Sequence, residues 1–177
     1  MRILRVLHHG KVFYDAVVCL NKELGYAAPI PLAELTILPV VMPSKIVCAA
    51  VNYRDHGKEL GHSIPETPRL FLKPPSAVIA SGQPIVLPES SARVDYEAEL
   101  AVIMGRACKN IPEEELDAYI FGYACANDVT ARDLQARDQL FGRCKGFDTF
   151  CPIGPWIETE VADPDNLTVR ALVNGEV

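Results

Sequence analysis

The sequence predicts a mixed, β-dominated fold of the α+β class, and three observations carry that expectation. Short apolar or alternating runs recur along the 177 residues, notably at 45–51, 94–104, 121–127 and 167–173. The helical segments between them, 53–60 and 112–119, are each only about two turns long. Asn174-Gly175, next to an alternating run, is a strong two-residue hairpin turn.

In chain order, residues 1–42 read as a small β-rich N-terminal domain. Met1-Arg2-Ile3-Leu4-Arg5-Val6-Leu7 is the first strand of a hairpin with Lys11-Val12-Phe13-Tyr14, and Leu38-Pro39-Val40-Val41-Met42-Pro43 connects onward. Residues 43–177 read as the main domain. It opens with a buried strand at 45–51 and a short helix at 53–60 that Gly61 stops. Leu70-Phe71-Leu72-Lys73 runs into a double proline, and Pro84-Ile85-Val86-Leu87-Pro88 precedes an acidic strand. A helix over 112–119 starts with proline and places Glu113, Glu114 and Glu115 where the helix dipole favours them. An apolar strand at 121–127 then enters Asp128-Val129-Thr130-Ala131-Arg132-Asp133-Leu134-Gln135. After the Asn174-Gly175 turn only Glu176 and Val177 remain to pair with 167–173, so the chain is expected to end within a domain, as a fragment of a longer protein.

Composition narrows the function. Apolar residues at 49 % indicate a globular chain. A net charge of −6 with no basic cluster argues against a nucleic-acid partner. No apolar run approaches membrane-spanning length, and the N-terminus lacks the apolar core of a signal peptide. Six cysteines without paired zinc-type spacing are expected to be reduced thiols, which points to the cytoplasm.

Val94-Asp95-Tyr96-Glu97-Ala98-Glu99-Leu100-Ala101-Val102-Ile103-Met104 is the most informative run. As a strand it places Asp95, Glu97 and Glu99 on one face, and Tyr96, Ala98, Leu100 and Val102 on the other. Carboxylates crowded at the mouth of a buried strand repel one another unless a cation compensates them, and oxygen-only sites select hard divalent ions. A solvated edge strand explains the same pattern, and the strand alone leaves both readings open. His56 and Glu59, three apart on a helix, share a face and form the arrangement that a water-activating base needs. On spacing alone a surface pair is the commoner explanation. Asp128, at the end of an apolar strand, either lines a site or caps the helix that follows. Lys145, among small and aromatic residues, is open to partial desolvation and to holding an oxyanion, although a lysine taken singly is more often just solvated.

Taken together and in order, six segments resemble the fumarylacetoacetate hydrolase family. They are Asn52-Tyr53-Arg54-Asp55-His56, Leu70-Phe71-Leu72-Lys73-Pro74-Pro75-Ser76, Val94-Asp95-Tyr96-Glu97-Ala98-Glu99-Leu100, Asn127-Asp128-Val129-Thr130-Ala131-Arg132-Asp133-Leu134-Gln135, Lys145-Gly146-Phe147-Asp148-Thr149-Phe150-Cys151-Pro152 and Val173-Asn174-Gly175-Glu176. The resemblance implies the family's β-roll, incomplete at the C-terminus because the second half with its Thr-Gly-Thr-Pro segment is missing. It implies that Glu97, Glu99 and Asp128 hold a divalent metal, usually Mg²⁺, with Mn²⁺, or Ca²⁺ in crystals, as substitutes. His56 and Glu59 match the water-activating pair, Lys145 the lysine facing the substrate oxygens, and Arg132, Gln135 and Thr149 the pocket lining. Asp95 is not a ligand in that pattern. Asn52 stands where some relatives have a metal-binding aspartate, and Gly146 where serine is commoner, a change expected to alter only local backbone freedom.

The implied activity is metal-dependent hydrolysis of C–C bonds in small 2-oxo acids or 1,3-dicarbonyls of the acylpyruvate or fumarylpyruvate kind, through an enolate. Full competence is expected only with the missing half. Isomerisation, tautomerisation or decarboxylation of a 2-oxo or 2-hydroxymuconate-type acid in aromatic catabolism passes through the same enolate and is the alternative. The resemblance also implies a homodimer. Two readings of another class remain: a domain whose acids bind metal only to hold the fold, and an inactive fragment that associates through its open edge.

Overall fold

Alternation at the N-terminus becomes a hairpin. Strands β1 (Arg2–His8) and β2 (Lys11–Ala16) pair antiparallel about His9 and Gly10, whose φ values of 46° and 75° give the turn that matches strand twist. The inward residues Leu4 and Val6 are buried with Leu35, against Phe13 and Trp156. The structure is a computed structural model that describes residues 1–16, 31–53, 61 and 65–177.

The hairpin is part of a larger sheet. β3 (Thr36–Ile37) pairs with β1, and so does the late strand β12 (Ile157–Glu158), with Arg2 opposite Glu158 and Ile3 opposite Ile157. β12 in turn pairs with β9 (Ile120–Asn127), and β9 with β8 (Ala98–Met104), giving the antiparallel order β2-β1-β12-β9-β8. Val40, Ala77, Ala124, Cys151, Ile153 and Ile157 form the core beneath it. β4 (Ile46–Ala50) and β5 (Arg69–Lys73) make a separate two-stranded ribbon, and β4 is followed by Val51, whose φ of 56° turns the chain out of the strand. β6 (Val78–Ile79) pairs in parallel with β11 (Cys151–Pro152).

The acidic run is two strands. β7 (Val94–Asp95) pairs with β10 (Thr130–Ala131), the chain bends at Tyr96 and Glu97, and β8 resumes on β9. Helices α1 (Arg132–Asp138) and α2 (Phe141–Lys145) follow, packed through Val129, Ala131, Leu134, Cys144 and Phe150.

Two elements depart from the sequence reading. Residues 112–119, expected as an α-helix, form a 3₁₀ helix, Glu113–Ala118, with no buried residue. Without an apolar face to pack, so short a helix gains too little to hold α geometry. The run 167–173 has no ladder partner among the described residues. Its turn does form, with Asn174 and Gly175 at φ values of 54° and 87° and Val173 bridged to Glu176. The expected helix at 53–60 falls almost wholly outside the described residues.

Candidate active site

The site is built at a corner where two adjoining strands bend together. β8 and β9 part at Glu97 and Asn127, and β7 and β10 resume beyond. Glu97 N–H donates to Asn127 Oδ1 at 3.0 Å, and Asp128 N–H donates to Glu97 O at 2.9 Å, so the corner's backbone groups stay paired. The alternation read from the sequence holds through the bend as far as Glu99, while Leu100 and Val102, expected on the face of Tyr96, line the same cleft as the acids. Asp95, Glu97 and Glu99 line one cleft, while Tyr96 and Ala98 line a groove on the other side. Asp128 does not cap α1: the N-cap is Ala131, with no side-chain cap bond. The Asp128 carboxylate turns instead to two buried lysines.

Those lysines begin a chain of alternating charge. Lys73 Nζ donates to Asp128 Oδ1 at 2.6 Å and to Val129 O at 3.3 Å. Lys145 Nζ donates to Asp128 Oδ2, to Glu97 Oε2 at 3.1 Å and to Thr130 Oγ1 at 2.7 Å. Arg132 Nη2 lies 2.5 Å from Glu97 Oε1, and its Nε donates to Asp95 Oδ2 at 3.0 Å. Arg93 completes the series on Asp95 at 3.1 Å. The order Lys73, Asp128, Lys145, Glu97, Arg132, Asp95, Arg93 runs from the interior to the surface. Lys73 and Lys145 are 2 % and 3 % exposed. Ammonium groups so deep are tolerated only when paired and fully hydrogen-bonded. At the outer end, Arg93, helped by Arg132, holds the Asp95 carboxyl below the usual carboxylate range.

Local sequence explains how Lys145 arrives there. It is the last residue of α2, stands 5.1 Å from the centroid of Phe71, and that ring meets Phe141 edge-on at 5.0 Å. Gly146 ends the helix against the backbone carbonyl of Gly142, where a Cβ would collide. Here the sequence reading needs correction: in this packing the glycine is a matter of space as well as backbone freedom. Thr149 lies two residues after Phe147 in a turn closed by Phe150 N–H donating to Phe147 O at 3.2 Å, and carries a φ of 72°. For a β-branched residue that is strained backbone. Its Oγ1 accepts from Val86 N–H at 2.8 Å.

Glu99 differs from its neighbours. Burial pushes its carboxyl up to about 7, and the charges of Glu97 and Asp128 add to the rise, against a hydrogen bond with Tyr53. Among the described residues no lysine or arginine forms a salt bridge with it. An all-oxygen donor set with excess negative charge fits a hard divalent cation in kind. In this fold the compensating charge on Glu97 and Asp128 comes from Lys145, Lys73 and Arg132. Among the described residues no three His, Cys, Asp or Glu side chains converge as a finished ligand set.

The cleft holds Glu97, Glu99, Asp128, Lys145, Arg132 and Gln135 together, with Arg132 Nη1 donating to Gln135 Oε1 at 3.0 Å. Thr149 stands apart from that lining, on Val86. His56 and Glu59 lie outside the described residues. Sequence reasoning missed Lys73, Thr130 and Tyr53. For Lys73 a signal existed: in Leu70-Phe71-Leu72-Lys73 the lysine shares the inward face of Phe71.

Comparison with known proteins follows the same residues. The fumarylacetoacetate (FAA) hydrolase C-terminal family matches residues 45–177. A protein of unknown role from Archaeoglobus fulgidus is 51 % identical over 177 residues, covering 98 % of this chain and 69 % of its own. The human mitochondrial oxaloacetate tautomerase is 44 % identical over 165 residues, covering 89 % of this chain and 52 % of the tautomerase. The crystal structure of 5-carboxymethyl-2-hydroxymuconate delta-isomerase from Mycobacterium smegmatis superposes with a TM-score of 0.78 at 37 % identity, covering 92 % of this chain and 67 % of that one. The chain thus spans 52–69 % of the length of these relatives. Among the described residues no helix is long and apolar enough to cross a membrane. A fold shared at this identity, with a match over residues 45–177, leaves one conclusion: the chain belongs to the fumarylacetoacetate hydrolase family, whose named members are enzymes acting on small molecules.

Proposed function

We propose that the protein of which this chain forms the matched part handles a small 2-oxo acid or 1,3-dicarbonyl as its enolate, with a divalent cation, Mg²⁺ or Mn²⁺, at Glu97, Glu99 and Asp128. The observation that carries the proposal is the buried Lys145 ammonium, held by Glu97, Asp128 and Thr130 in an open cleft. A fixed cation in a desolvated position favours negative charge developing on a substrate oxygen. Arg132 and Gln135, already hydrogen-bonded to each other, supply donors that suit a substrate carboxylate. A bound divalent cation would add Lewis acidity toward two substrate oxygens.

Two outcomes share that enolate. In C–C bond hydrolysis, His56 oriented by Glu59 would remove a proton from water and the hydroxide would add to the substrate carbonyl carbon. Collapse of that adduct breaks the C–C bond, leaving a carboxylic acid and a carbon leaving group that departs as the enolate beside Lys145 and takes up the proton. In keto–enol isomerisation the proton returns to carbon and no water attacks. The sequence pair His56 and Glu59 favours hydrolysis, while the tautomerase and isomerase named above favour isomerisation. A homodimer, and a division at residue 42 into a small N-terminal domain and a catalytic one, belong to the same proposal.

The test is calorimetric titration with Mn²⁺, followed by turnover of oxaloacetate enol and of an acylpyruvate with Mg²⁺ and with EDTA. Mn²⁺ binding lost in Glu97→Gln and Asp128→Asn, with EDTA-sensitive turnover, is the expected result. Absence of Mn²⁺ binding, or turnover unchanged in EDTA, would reject the metal reading. Cleavage of the acylpyruvate selects hydrolysis, and loss of enol absorbance without cleavage selects isomerisation.

A further inference from the structure

Lys73 is the most buried charged side chain among the described residues, at 2 % exposed, and the chemistry proposed above gives it no part. It ends β5 with its side chain on the inward face of the ribbon, in the cleft wall beside Phe71. A buried ammonium that merely filled space would be better replaced by an apolar residue, since desolvating it costs several kcal/mol. Its contacts are specific. One donor goes to Asp128 Oδ1 at 2.6 Å, and another to the next residue's carbonyl, Val129 O, at 3.3 Å. The second contact fixes the ammonium to the backbone of the corner, so it orients the carboxylate as well as balancing its charge. Asp128 is then held from both sides, with Lys73 on Oδ1 and Lys145 on Oδ2.

We propose that Lys73 is a positioning residue: it occupies Asp128 Oδ1 and thereby presents Oδ2 to the cluster of Lys145, Glu97 and Thr130. This rests on the reading of that cluster as a cation and substrate site. The hydrogen bonds of Lys73 go to Asp128 and to Val129 O, and it acts through the Asp128 carboxylate. It follows that Lys73 matters to the site only while Asp128 is a carboxylate.

The experiment is Mn²⁺ titration calorimetry with thermal melting for the parental chain, Lys73→Met, Lys73→Gln, Asp128→Asn and the double variant Lys73→Met/Asp128→Asn. Lys73→Met and Lys73→Gln should weaken Mn²⁺ binding by about 10–100-fold, the usual effect of removing an outer partner of a ligand. The double variant should bind no more weakly than Asp128→Asn, because the two changes act through one group. Folded Lys73 variants that bind Mn²⁺ as the parent does would overturn the inference and leave the metal reading standing. A parent that binds no Mn²⁺ would overturn both. Should neither single Lys73 variant fold, recovery of cooperative melting in the double variant supports action through Asp128. Failure of the double variant as well counts against it.

Discussion

Lys145 Nζ lies 3.1 Å from Glu97 Oε2, joining two residues 48 positions apart in the chain. The same ammonium holds Asp128, so one side chain ties the end of α2 to both bent strands. Lys145→Met leaves two partly or fully buried carboxylates short of a cation. Stability should fall by about 3–5 kcal/mol, the usual effect of breaking a buried pair. Urea unfolding of the parent and the variant, followed by circular dichroism, measures it. Lys145→Met/Asp128→Asn should recover part of the loss.

Glu99 sets a pH dependence. Its folded carboxyl is raised from 4.5 to about 7, chiefly by burial, so the fold favours the protonated form. That contribution is fully present below about 4.5, declines through the interval, and is lost as pH rises through about 7. In EDTA, Glu99→Gln should therefore gain on the parent steadily between those limits and be the more stable protein at pH 8. Urea midpoints at half-unit pH steps read the difference directly. A constant gap between the two proteins would contradict the assignment.

Thr149 offers a test of local strain. Thr149→Val keeps the β-branched shape at a φ of 72° and loses the acceptor for Val86 N–H. Thr149→Gly loses the same acceptor and relieves the backbone. Relief of about 1–3 kcal/mol against a glycine entropy cost of about 1 kcal/mol makes the glycine variant the more stable of the two. Thermal melting of the pair settles the order.

The thiols should separate by reactivity. Burial pushes Cys48 up to about 12 and Cys151 up to about 11, so neither presents thiolate near neutral pH. Cys108 and Cys125 are exposed. Brief iodoacetamide treatment at pH 8, read by peptide mass spectrometry, should label Cys108 and Cys125 well before Cys48 and Cys151.

Much of this arrangement was legible in the chain, for identifiable reasons. Alternation is a local property, so the common face of Asp95, Glu97 and Glu99 follows from spacing alone and survives even the bend at residues 96 and 97. The bend itself was not legible, because it depends on Asn127 and Asp128 of another strand supplying the backbone partners. The small and aromatic neighbours of Lys145 left a desolvated and a solvated reading open, and the side chain is buried. Lys73 escaped because its partner is 55 positions away, and a lysine before two prolines reads as solvated. Residues 112–119 carried a proline start and a first turn of glutamates but no apolar stripe, and without packing those signals gave only 3₁₀ turns. The clamp of Arg93 and Arg132 on Asp95 shows why that acid, nearest in type to the two glutamates, is committed elsewhere.

The pairing of Arg2 with Glu158 also sets a timetable for synthesis. β1 leaves the ribosome 156 residues before the strand that seals it. At the usual pace of roughly 5–20 residues per second, that delay is about 10–30 s. Throughout it the first strand has only β2 and the two-residue β3 as partners, and so small a sheet is marginal in water. The sheet closes across 156 positions, so loop closure weighs heavily on its rate. The nascent chain therefore carries an open, apolar-backed edge until residue 158 has emerged, a standing invitation to chaperones and to its neighbours on the polysome.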